Sequence, residues 1–368
     1  MQFMAKPIHD RRSIHVPAAQ FIPKEFTMDL NRIIDRLGHI KEKKILVLGD
    51  YCLDKYVYSD PAEDDVSLET GVAAWQIYGK KMAAGAAGTI TNNLRALGAE
   101  VICVGIVGDD GEGYDLLKCL KQIGADTRYI MVSEEITTAT YLKNMRKQSD
   151  GEYREDTRLD FRNRSITSES MFEELGCNFE EAVKEADGII VSDQFFERNS
   201  GVVGDILRKK INEFAKKYDK PFLVDSRAFA REYKGMYIKC NNYELMKYCG
   251  AKGDPECMED VLRGGMEMKN EVGHSIFITC NKDGIKIFED EISHVPTYPV
   301  EGEIDVTGAG DASNAGIVLS LALGLTPTEA AAVACCVSSI TIQQLGTTGT
   351  ATVEGVIERL YTIDKMMK

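Results

Sequence analysis

Short apolar runs, several of them followed by aspartate, recur along this sequence and constrain its fold more than any other feature. The runs lie at residues 45–48, 101–107, 188–191, 222–224 and 276–279. Continuous apolar runs of this length are typical of parallel strands that are covered on both faces. Segments with the apolar spacing of helices separate several of them, for example residues 112–123 and 202–218. This alternation predicts an α/β fold with a doubly wound, mostly parallel sheet.

Acidic side chains are predicted to share one edge of that sheet. Aspartate follows four of the predicted strands, as Asp50, Asp109, Asp193 and Asp225. Because open α/β sheets bind ligands at the carboxyl ends of their strands, this edge predicts a binding site. Asp54, four residues after Asp50, is predicted to bind a ligand in the same place. The alternative for Asp54 is an ordinary solvated loop acid.

Composition and charge narrow the class of protein. The chain has 368 residues, of which 44% are hydrophobic and 28% charged, which suits one large α/β domain. No run of about eighteen apolar residues occurs, so no membrane span is expected. The first 13 residues lack the apolar core of a secretory signal, and ten cysteines without a C-x-x-C pair predict reduced thiols in the cytoplasm. A net charge of −14 argues against a nucleic-acid partner.

The sequence pattern divides the chain into an N-terminal tail and helix, residues 1–40, and one domain, residues 41–368. A small β lid is predicted to leave this domain at about residues 55–80 and 136–165. In the second excursion, two alternating runs flank Asp150-Gly151, which is a hairpin signal. Such lids exclude water from a transfer site. Since an isolated hairpin sheet is marginal in water, a homodimer formed through paired lids is predicted.

A glycine-rich turn at residues 305–311 precedes an apolar segment that is typical of a buried helix. Gly308 and Gly310 can adopt backbone conformations that are closed to other residues. The amides of Gly308, Ala309 and Gly310 then form an anion-binding site with the helix N-terminus. Asp311 is placed to accept a proton from a substrate hydroxyl, although the helix N-terminus is expected to lower its pKa. The alternative is a simple helix cap.

Two other classes of nucleotide-binding enzyme do not fit the sequence. No G-x-x-x-x-G-K-[ST] motif occurs, which excludes a P-loop kinase. No G-x-G-x-x-G motif follows the first strand. Ser313 stands where a third glycine would have to follow Gly308 and Gly310, which argues against a dinucleotide-binding dehydrogenase.

Taken in order, these segments resemble the signatures of the ribokinase-like carbohydrate kinases, the phosphofructokinase-B superfamily. Residues 49–54 resemble the motif after the first strand, in which the second aspartate, here Asp54, holds sugar hydroxyls. Residues 85–99 resemble the first signature of the family. Residues 305–311 resemble the second, in which the last aspartate, here Asp311, is the catalytic base. The resemblance implies a three-layer αβα sandwich with a small β lid.

The same resemblance implies a nucleotide site. Asn241 and Glu244 match the N-x-x-E motif, which organises Mg²⁺ and phosphates, so Glu244 is implied to hold Mg²⁺ through water. The alternative for this pair is a helix capping box. The strand and turn from Thr279 to Gly284 resemble the segment that contacts the nucleotide, and Thr307 is implied to bind ATP with them.

Within this family, the sequence is most similar to bacterial kinases of heptose 7-phosphate. The similarity is carried by residues 49–54, 158–161, 192–193, 305–311 and 345–347. It implies that the acceptor contacts Asp54, Gly85, Ala86, Thr89, Arg158 and Asp193. Several positions depart from the family pattern. Ala86 replaces the second of two glycines, Thr89 replaces an asparagine, residues 194–197 lack the usual lysine and glycine, and residues 225–227 replace Asp-Pro-Lys.

The predicted function is an ATP- and Mg²⁺-dependent sugar kinase that transfers the γ-phosphoryl group to a sugar hydroxyl. The predicted acceptor is a sugar phosphate such as heptose 7-phosphate. Arg154 and Arg158 in the hairpin favour a phosphorylated acceptor, and a regularly alternating strand would place both on one face. Two alternatives remain open. One is a kinase for a free sugar or a nucleoside, and the other is a non-catalytic sensor of sugar or nucleotide on the same fold.

Overall fold

The computed structural model describes residues 28–164 and 166–368, so the predicted tail at residues 1–24 lies outside the described residues. The strands, in chain order, are β1 (Lys44–Gly49), β2 (Tyr51–Ser59), β3 (Asp65–Val66), β4 (Ala73–Ala74), β5 (Ile77–Ala86), β6 (Glu100–Gly108), β7 (Asp126–Ser133), β8 (Thr140–Lys147), β9 (Tyr153–Phe161), β10 (Gly188–Asp193), β11 (Phe222–Ser226), β12 (Tyr237–Asn241), β13 (Ile276–Thr279), β14 (Ile285–Phe288) and β15 (Ile292–Val295). The helices are α1 (Leu30–Leu37), α2 (Ala87–Ala96), α3 (Gly111–Gln122), α4 (Glu169–Glu185), α5 (Asp205–Lys217), α6 (Asn242–Lys247), α7 (Met258–Val272), α8 (Ala309–Ala322), α9 (Pro327–Thr341) and α10 (Val353–Met367).

Nine strands form the central sheet, in the order β15-β14-β13-β12-β11-β10-β1-β6-β7. Neighbouring strands from β13 to β7 are parallel, and β14 and β15 are added antiparallel at one edge. After β1, the next strands of this sheet, β6 and β7, are added towards one edge. After β10, the strands β11 to β15 are added towards the other edge. The crevice between β1 and β10 is therefore the switch point of the sheet, where open α/β sheets bind ligands. The predicted doubly wound, mostly parallel sheet is confirmed.

Helices bury both faces of this sheet. One apolar layer contains α1, α2, α3, α8, α9 and α10, and the other contains α4, α5, α6 and α7. Val47 of β1 packs into the first layer, whereas Leu46 and Leu48 pack into the second, as the alternation of side chains along a strand requires. This burial on both sides explains why the strands are continuous apolar runs. No helix within residues 28–164 and 166–368 is long and apolar enough to cross a membrane.

A second sheet forms the lid, in the order β5-β2-β8-β9. β8 and β9 make the predicted hairpin, and Gly151 supplies a φ of +86° at its turn. The first excursion is formed by β2 and β5, which pair antiparallel from Tyr51 to Ser59. As a result, Gly85 and Ala86 end β5, and α2 begins at Ala87.

One irregularity in the hairpin changes which side chains share a face. Asn144 of β8 pairs with Thr157, but Met145 pairs with Glu155, so Asp156 is an extra residue in β9. A β-bulge of this kind breaks the alternation of side chains by one position. Arg154 and Arg158 therefore point to opposite faces of the lid, and the prediction that they share a face is wrong.

Candidate active site

The glycine-rich turn delivers Asp311 to the first turn of α8. Gly308 caps this helix with a φ of +79°, a left-handed conformation that costs glycine little. Gly310 is helical and does not use the freedom that was predicted for it. A Cβ at this position would lie 3.1 Å from Nζ of Lys239, so a side chain here would crowd the ammonium group. The helix beyond is buried on all sides from Ala312 to Leu321.

Asp311 has the ionisation behaviour of a base. Burial raises the pKa of its carboxyl to about 7, and the negative charges of Asp225 and Asp54 add to this rise, while Lys239 and Arg227 oppose it. The predicted lowering of this pKa by the helix N-terminus is therefore wrong in sign, because desolvation outweighs the partial charge of the helix. The side chain keeps a partial opening to solvent although protein atoms surround it. A carboxylate near half-ionisation at neutral pH suits proton transfer.

The N-termini of two helices meet beside this residue. Thr89, in the first turn of α2, is buried, and its methyl group would lie 3.2 Å from a Cβ on Gly308. The methyl group of Thr348 approaches the same position at 3.3 Å. The partial positive charges of both helix N-termini are thus brought to one place, although the first amide of each helix already donates, Ala87 to the carbonyl of Asp50 and Ala309 to that of Val306, both at 3.1 Å. The arrangement can bind the oxygens of a phosphoryl group in a protein with a negative net charge.

The end of β5 carries a strained backbone. Ala86 has a φ of +52° and a ψ of −117°, a conformation that alanine rarely adopts. This is the position where the resembled family has its second glycine. Gly85 leaves room for the carboxylate of Asp54, because a Cβ at this position would lie only 2.5 Å from Oδ2 of Asp54.

Relief of this strain gives a stability prediction. Ala86→Gly should raise the free energy of unfolding by about 1 kcal/mol, since glycine adopts this conformation freely and the gain exceeds its larger unfolded-state entropy. Chemical denaturation measures the change. The neighbouring Ala87→Gly, at a helical position, should lower stability by a similar amount. A loss of stability in Ala86→Gly would show that the φ of this residue is not strained.

Asp54 lies inside β2 of the lid rather than in a loop after β1. It is 7% exposed, and its Oδ1 lies 3.6 Å from Nζ of Lys143, which also donates to the hydroxyl of Tyr56 at 3.1 Å. Burial raises the pKa of Asp54, and the Lys143 ammonium opposes the rise. The alternative of a solvated loop acid is therefore wrong.

Arg158 lies on the same face of the lid. It is the cross-strand partner of Lys143, its guanidinium stacks over the ring of Tyr141 at 4.6 Å, and its Nε donates to Asp160 at 2.6 Å. Its positive charge also lowers the pKa of Asp54. The lid thus presents Asp54, Lys143 and Arg158 together.

The carboxylate of Asp193 is hydrogen-bonded in the protein interior. It is 2% exposed, and its Oδ2 accepts hydrogen bonds from Ser226 at 2.8 Å, Tyr233 at 2.9 Å and Arg208 at 3.4 Å. This network ties the ends of β10 and β11 to α5. The predicted contact of Asp193 with the acceptor does not follow from this geometry, since its carboxylate is already bound by three interior donors.

The N-x-x-E motif forms the capping box that was the alternative. Oδ1 of Asn241 accepts from the amide of Glu244 at 2.8 Å, and Oε2 of Glu244 accepts from the amide of Asn241 at 2.9 Å. Burial and the charge of Asp225 raise the pKa of Glu244, while Lys239 lowers it. Glu244 therefore faces the same charged cluster as Asp311, and the capping role does not remove it from the site.

The other residues that were predicted to bind the nucleotide are Thr279, Thr307 and Gly284. Thr279 pairs with Asn241 across the ends of β13 and β12, so these two residues meet at the predicted edge. Thr307 is exposed directly before the glycine turn, with its amide bound to Asp305 at 3.0 Å. Gly284 has a φ of +73°, and a Cβ there would collide with the carbonyl of Val295, so backbone packing alone accounts for it.

Sequence reasoning missed two charged residues of this cluster. Lys239 is buried on β12 and pairs with Asp225 at 3.2 Å. Arg227 is exposed just after β11, and its charge lowers the pKa of both Asp311 and Glu244. A lysine inside the apolar run at residues 236–240 was the available signal, because an isolated buried ammonium needs a partner.

Comparison with known proteins identifies the family. A profile described as "pfkB family carbohydrate kinase" matches residues 43–353. The chain belongs to the pfkB family of carbohydrate kinases. The bifunctional protein HldE of a Nitratiruptor species is 30% identical to this pfkB kinase over 326 residues, covering 88% of this chain and 66% of that protein. The protein of the same name from Sulfurimonas denitrificans is 28% identical over 306 residues, covering 82% and 61%. The pfkB kinase thus spans less than two thirds of the length of these curated relatives.

Solved structures share the fold of this pfkB kinase. An Arabidopsis thaliana ribokinase complexed with ribose and ATP superposes with a TM-score of 0.64 at 17% identity, covering 86% of this chain and 98% of that one. Escherichia coli phosphofructokinase-2 in complex with potassium gives 0.64 at 15% identity, covering 88% and 98%. The fold is ribokinase-like, and the family to which the chain belongs is one of carbohydrate kinases.

Proposed function

We propose that this kinase uses ATP and Mg²⁺ to phosphorylate a hydroxyl of an already phosphorylated sugar, with heptose 7-phosphate as the example tested below. One observation carries the proposal. Asp311, with a pKa raised to about 7, lies in the first turn of α8 directly after the Gly308 cap and within electrostatic reach of Asp54 on the lid. These observations support a base, an anion site and an acceptor carboxylate that act on the same substrate.

The residues of the site have different roles in phosphoryl transfer. Asp54 and Lys143 hold the acceptor by its hydroxyls, and Asp311 accepts the proton of the hydroxyl that attacks. The amides of Gly308 and Gly310, with the start of α2, stabilise the oxygens of the phosphoryl group, whereas the amide of Ala309 donates to the carbonyl of Val306 at 3.1 Å. Since the transition state of phosphoryl transfer is loose, alignment of the hydroxyl by Asp311 matters at least as much as its basicity.

The donor set fits a magnesium ion that is held mainly by phosphates and water. No group of three or more His, Cys, Asp or Glu side chains in the described segments forms a protein cage for a metal. Mg²⁺ in kinases uses only one or two carboxylates together with phosphates, and Glu244 is a buried carboxylate of the cluster. When bound, the ion neutralises phosphate charge.

Glu244 offers a test of this assignment. Glu244→Gln keeps the capping box, because glutamine can make the same bond at this helix position, and removes only the charge. We expect half-maximal activity to require more Mg²⁺, with the KM of the acceptor near wild type. A magnesium titration of initial rates measures this. An unchanged titration with only a lower melting temperature would assign Glu244 to helix capping alone.

The acceptor is inferred from the face of the lid that carries Asp54. Lys143 and Arg158 are cross-strand partners on this face, and the Arg158 guanidinium has the planar geometry that binds phosphate. The net charge of −14 means that such local cations are needed to hold an anionic sugar. These observations favour a sugar phosphate over a free sugar or a nucleoside.

Initial rates on a matched pair, heptose 7-phosphate and free heptose, test the proposed function. We expect heptose 7-phosphate to have the higher kcat/KM, and Arg158→Ala to lower that value about 10- to 100-fold with little effect on the free sugar. Arg154→Ala, on the opposite face of the lid, is the matched control and should change neither. A higher kcat/KM for the free sugar, unaffected by Arg158→Ala, would contradict the proposal.

The lid also supports a homodimer in the cytoplasm. Large apolar side chains are exposed along β5 and the small arm before it, namely Val66, Leu68, Val72, Trp75, Ile77 and Tyr78. Pairing of two lids would bury them and cover the edge strands. All ten cysteines are free thiols, as expected in a reducing compartment. Sedimentation at micromolar concentration should give a dimer, and a 40.8 kDa monomer would contradict this part of the proposal.

A further inference from the structure

Lys239 lies on β12, beneath the first turn of α8. Its side chain is buried, and Nζ lies 3.2 Å from Oδ2 of Asp225 on β11. The absence of a side chain at Gly310 leaves room for the ammonium group, since a Cβ there would lie 3.1 Å from Nζ. The lysine ammonium therefore lies beside the backbone of Gly310, although the two residues are far apart in the chain.

Asp225 connects this lysine to the helix that carries Asp311. The same Oδ2 atom accepts a hydrogen bond from Nδ2 of Asn314 at 2.5 Å. Asn314 is fully buried, and it follows Asp311 by about one helical turn, so both side chains lie on neighbouring parts of the helix surface. A chain of contacts therefore runs from Lys239 through Asp225 to Asn314.

Lys239 is also the central positive charge of the cluster. The carboxylates of Asp225, Asp311 and Glu244 all raise its pKa. Asp311 in turn faces Asp225 from β11 and Asp54 from β2, which favour its protonated form, and Lys239 from β12 and Arg227 after β11, which favour its ionised form. In a buried site these charges are weakly screened, so loss of the ammonium would leave several carboxylates without compensation.

We propose that Lys239 is a positioning residue, which through Asp225 and Asn314 holds the first turn of α8 in place and keeps Asp311 ionised at neutral pH. The proposal rests on the role of Asp311 in the proposed function. Asp311 must be ionised to accept a proton, so activity is lost as the pH falls through its pKa. Removal of Lys239 takes away a charge that lowers this pKa, and the acidic limb of the rate profile should move to higher pH.

Two readouts separate this proposal from the proposed function. One is the pH profile of kcat/KM, and the other is an NMR titration of the ¹³C-labelled Asp311 carboxyl in the full chain, assigned with Asp311→Asn. We expect Lys239→Met to move both to higher pH by about one unit. Asp225→Asn should move both to lower pH, and the double variant should return them close to wild type. If no sugar is phosphorylated but the NMR titrations move as stated, the proposed function fails and the role of Lys239 stands.

The control variant removes a lysine near the opposite end of β11. Lys220→Met removes one positive charge near the opposite end of β11, where Nζ donates to backbone carbonyls of α4, and should leave both readouts unchanged. A lower melting temperature of Lys239→Met with both titrations in place would overturn the proposal. If Lys239→Met does not fold, Asp225→Asn decides, and the proposal fails if that variant does not shift the titration to lower pH.

Discussion

Asp311→Asn is expected to lower kcat about 10²- to 10⁴-fold while ATP affinity stays close to wild type. The substitution removes the proposed proton acceptor but keeps the size of the side chain and the amides of the Gly308 turn. Initial rates of ADP formation and calorimetric binding of ATP measure the two effects. The pH dependence has the same origin, since the pKa of Asp311 lies at about 7 and activity should fall as the pH drops through that value.

A second helix supplies the control for this experiment. Asp205 also lies in the first turn of a helix, α5, and its contacts are with Arg198, Asn199 and Arg208. Asp205→Asn should affect stability but not turnover. If Asp311→Asn behaves in the same way, with kcat near wild type and only a lower melting temperature, Asp311 is a helix cap and the assigned role is wrong.

The second large effect is expected from Asp54→Ala. This change removes a buried carboxylate from the acceptor side of the cleft and leaves Lys143 without its anionic partner. We expect kcat/KM for the acceptor to fall by about 10²-fold or more, because hydrogen bonds to charged groups each contribute about 1.5–3 kcal/mol. ATP binding should be intact, since Asp54 is on the lid. Kinetics with each substrate varied separately measure the split.

The outer part of the lid provides the matched variant. Asp60, directly after the end of β2, makes an ion pair with Lys147 of β8 at 2.8 Å and is not among the charges that act on Asp311. Asp60→Ala should leave both KM values unchanged. Equal losses for acceptor and ATP in Asp54→Ala would show that the whole lid has been disturbed and would count against a direct contact with the acceptor.

The positions of several parallel strands along the chain and of the glycine-rich turn were predictable because both depend on local pattern. Continuous apolar runs indicated strands covered on both faces, and the glycine turn before a fully apolar helix indicated the start of α8. The helices α4 and α7 and the antiparallel strands β14 and β15 were not predicted. β14 and β15 are four residues each, which is too short for periodicity to distinguish a strand from a buried turn.

The predictions about the site that were wrong concern properties that depend on segments distant in the sequence. The pKa of Asp311 depends on charges from β2, β11 and β12, which a helix N-terminus considered alone does not include. The extra residue Asp156 depends on how β9 pairs with β8, and it cannot be read from β9 by itself. Asp193 follows a strand at the ligand edge, but the position of Arg208 and Tyr233 turns it into the interior.

We propose that the site around Asp311 transfers phosphate to a sugar hydroxyl. Mass spectrometry of the sugar, after incubation of the protein with ATP, Mg²⁺ and heptose 7-phosphate, tests this proposal. We expect a product heavier by one phosphoryl group, formed in step with ADP and almost absent with Asp311→Asn. Binding of ATP without a phosphorylated product from this or any other sugar acceptor would contradict it and would favour a sensor on the same fold.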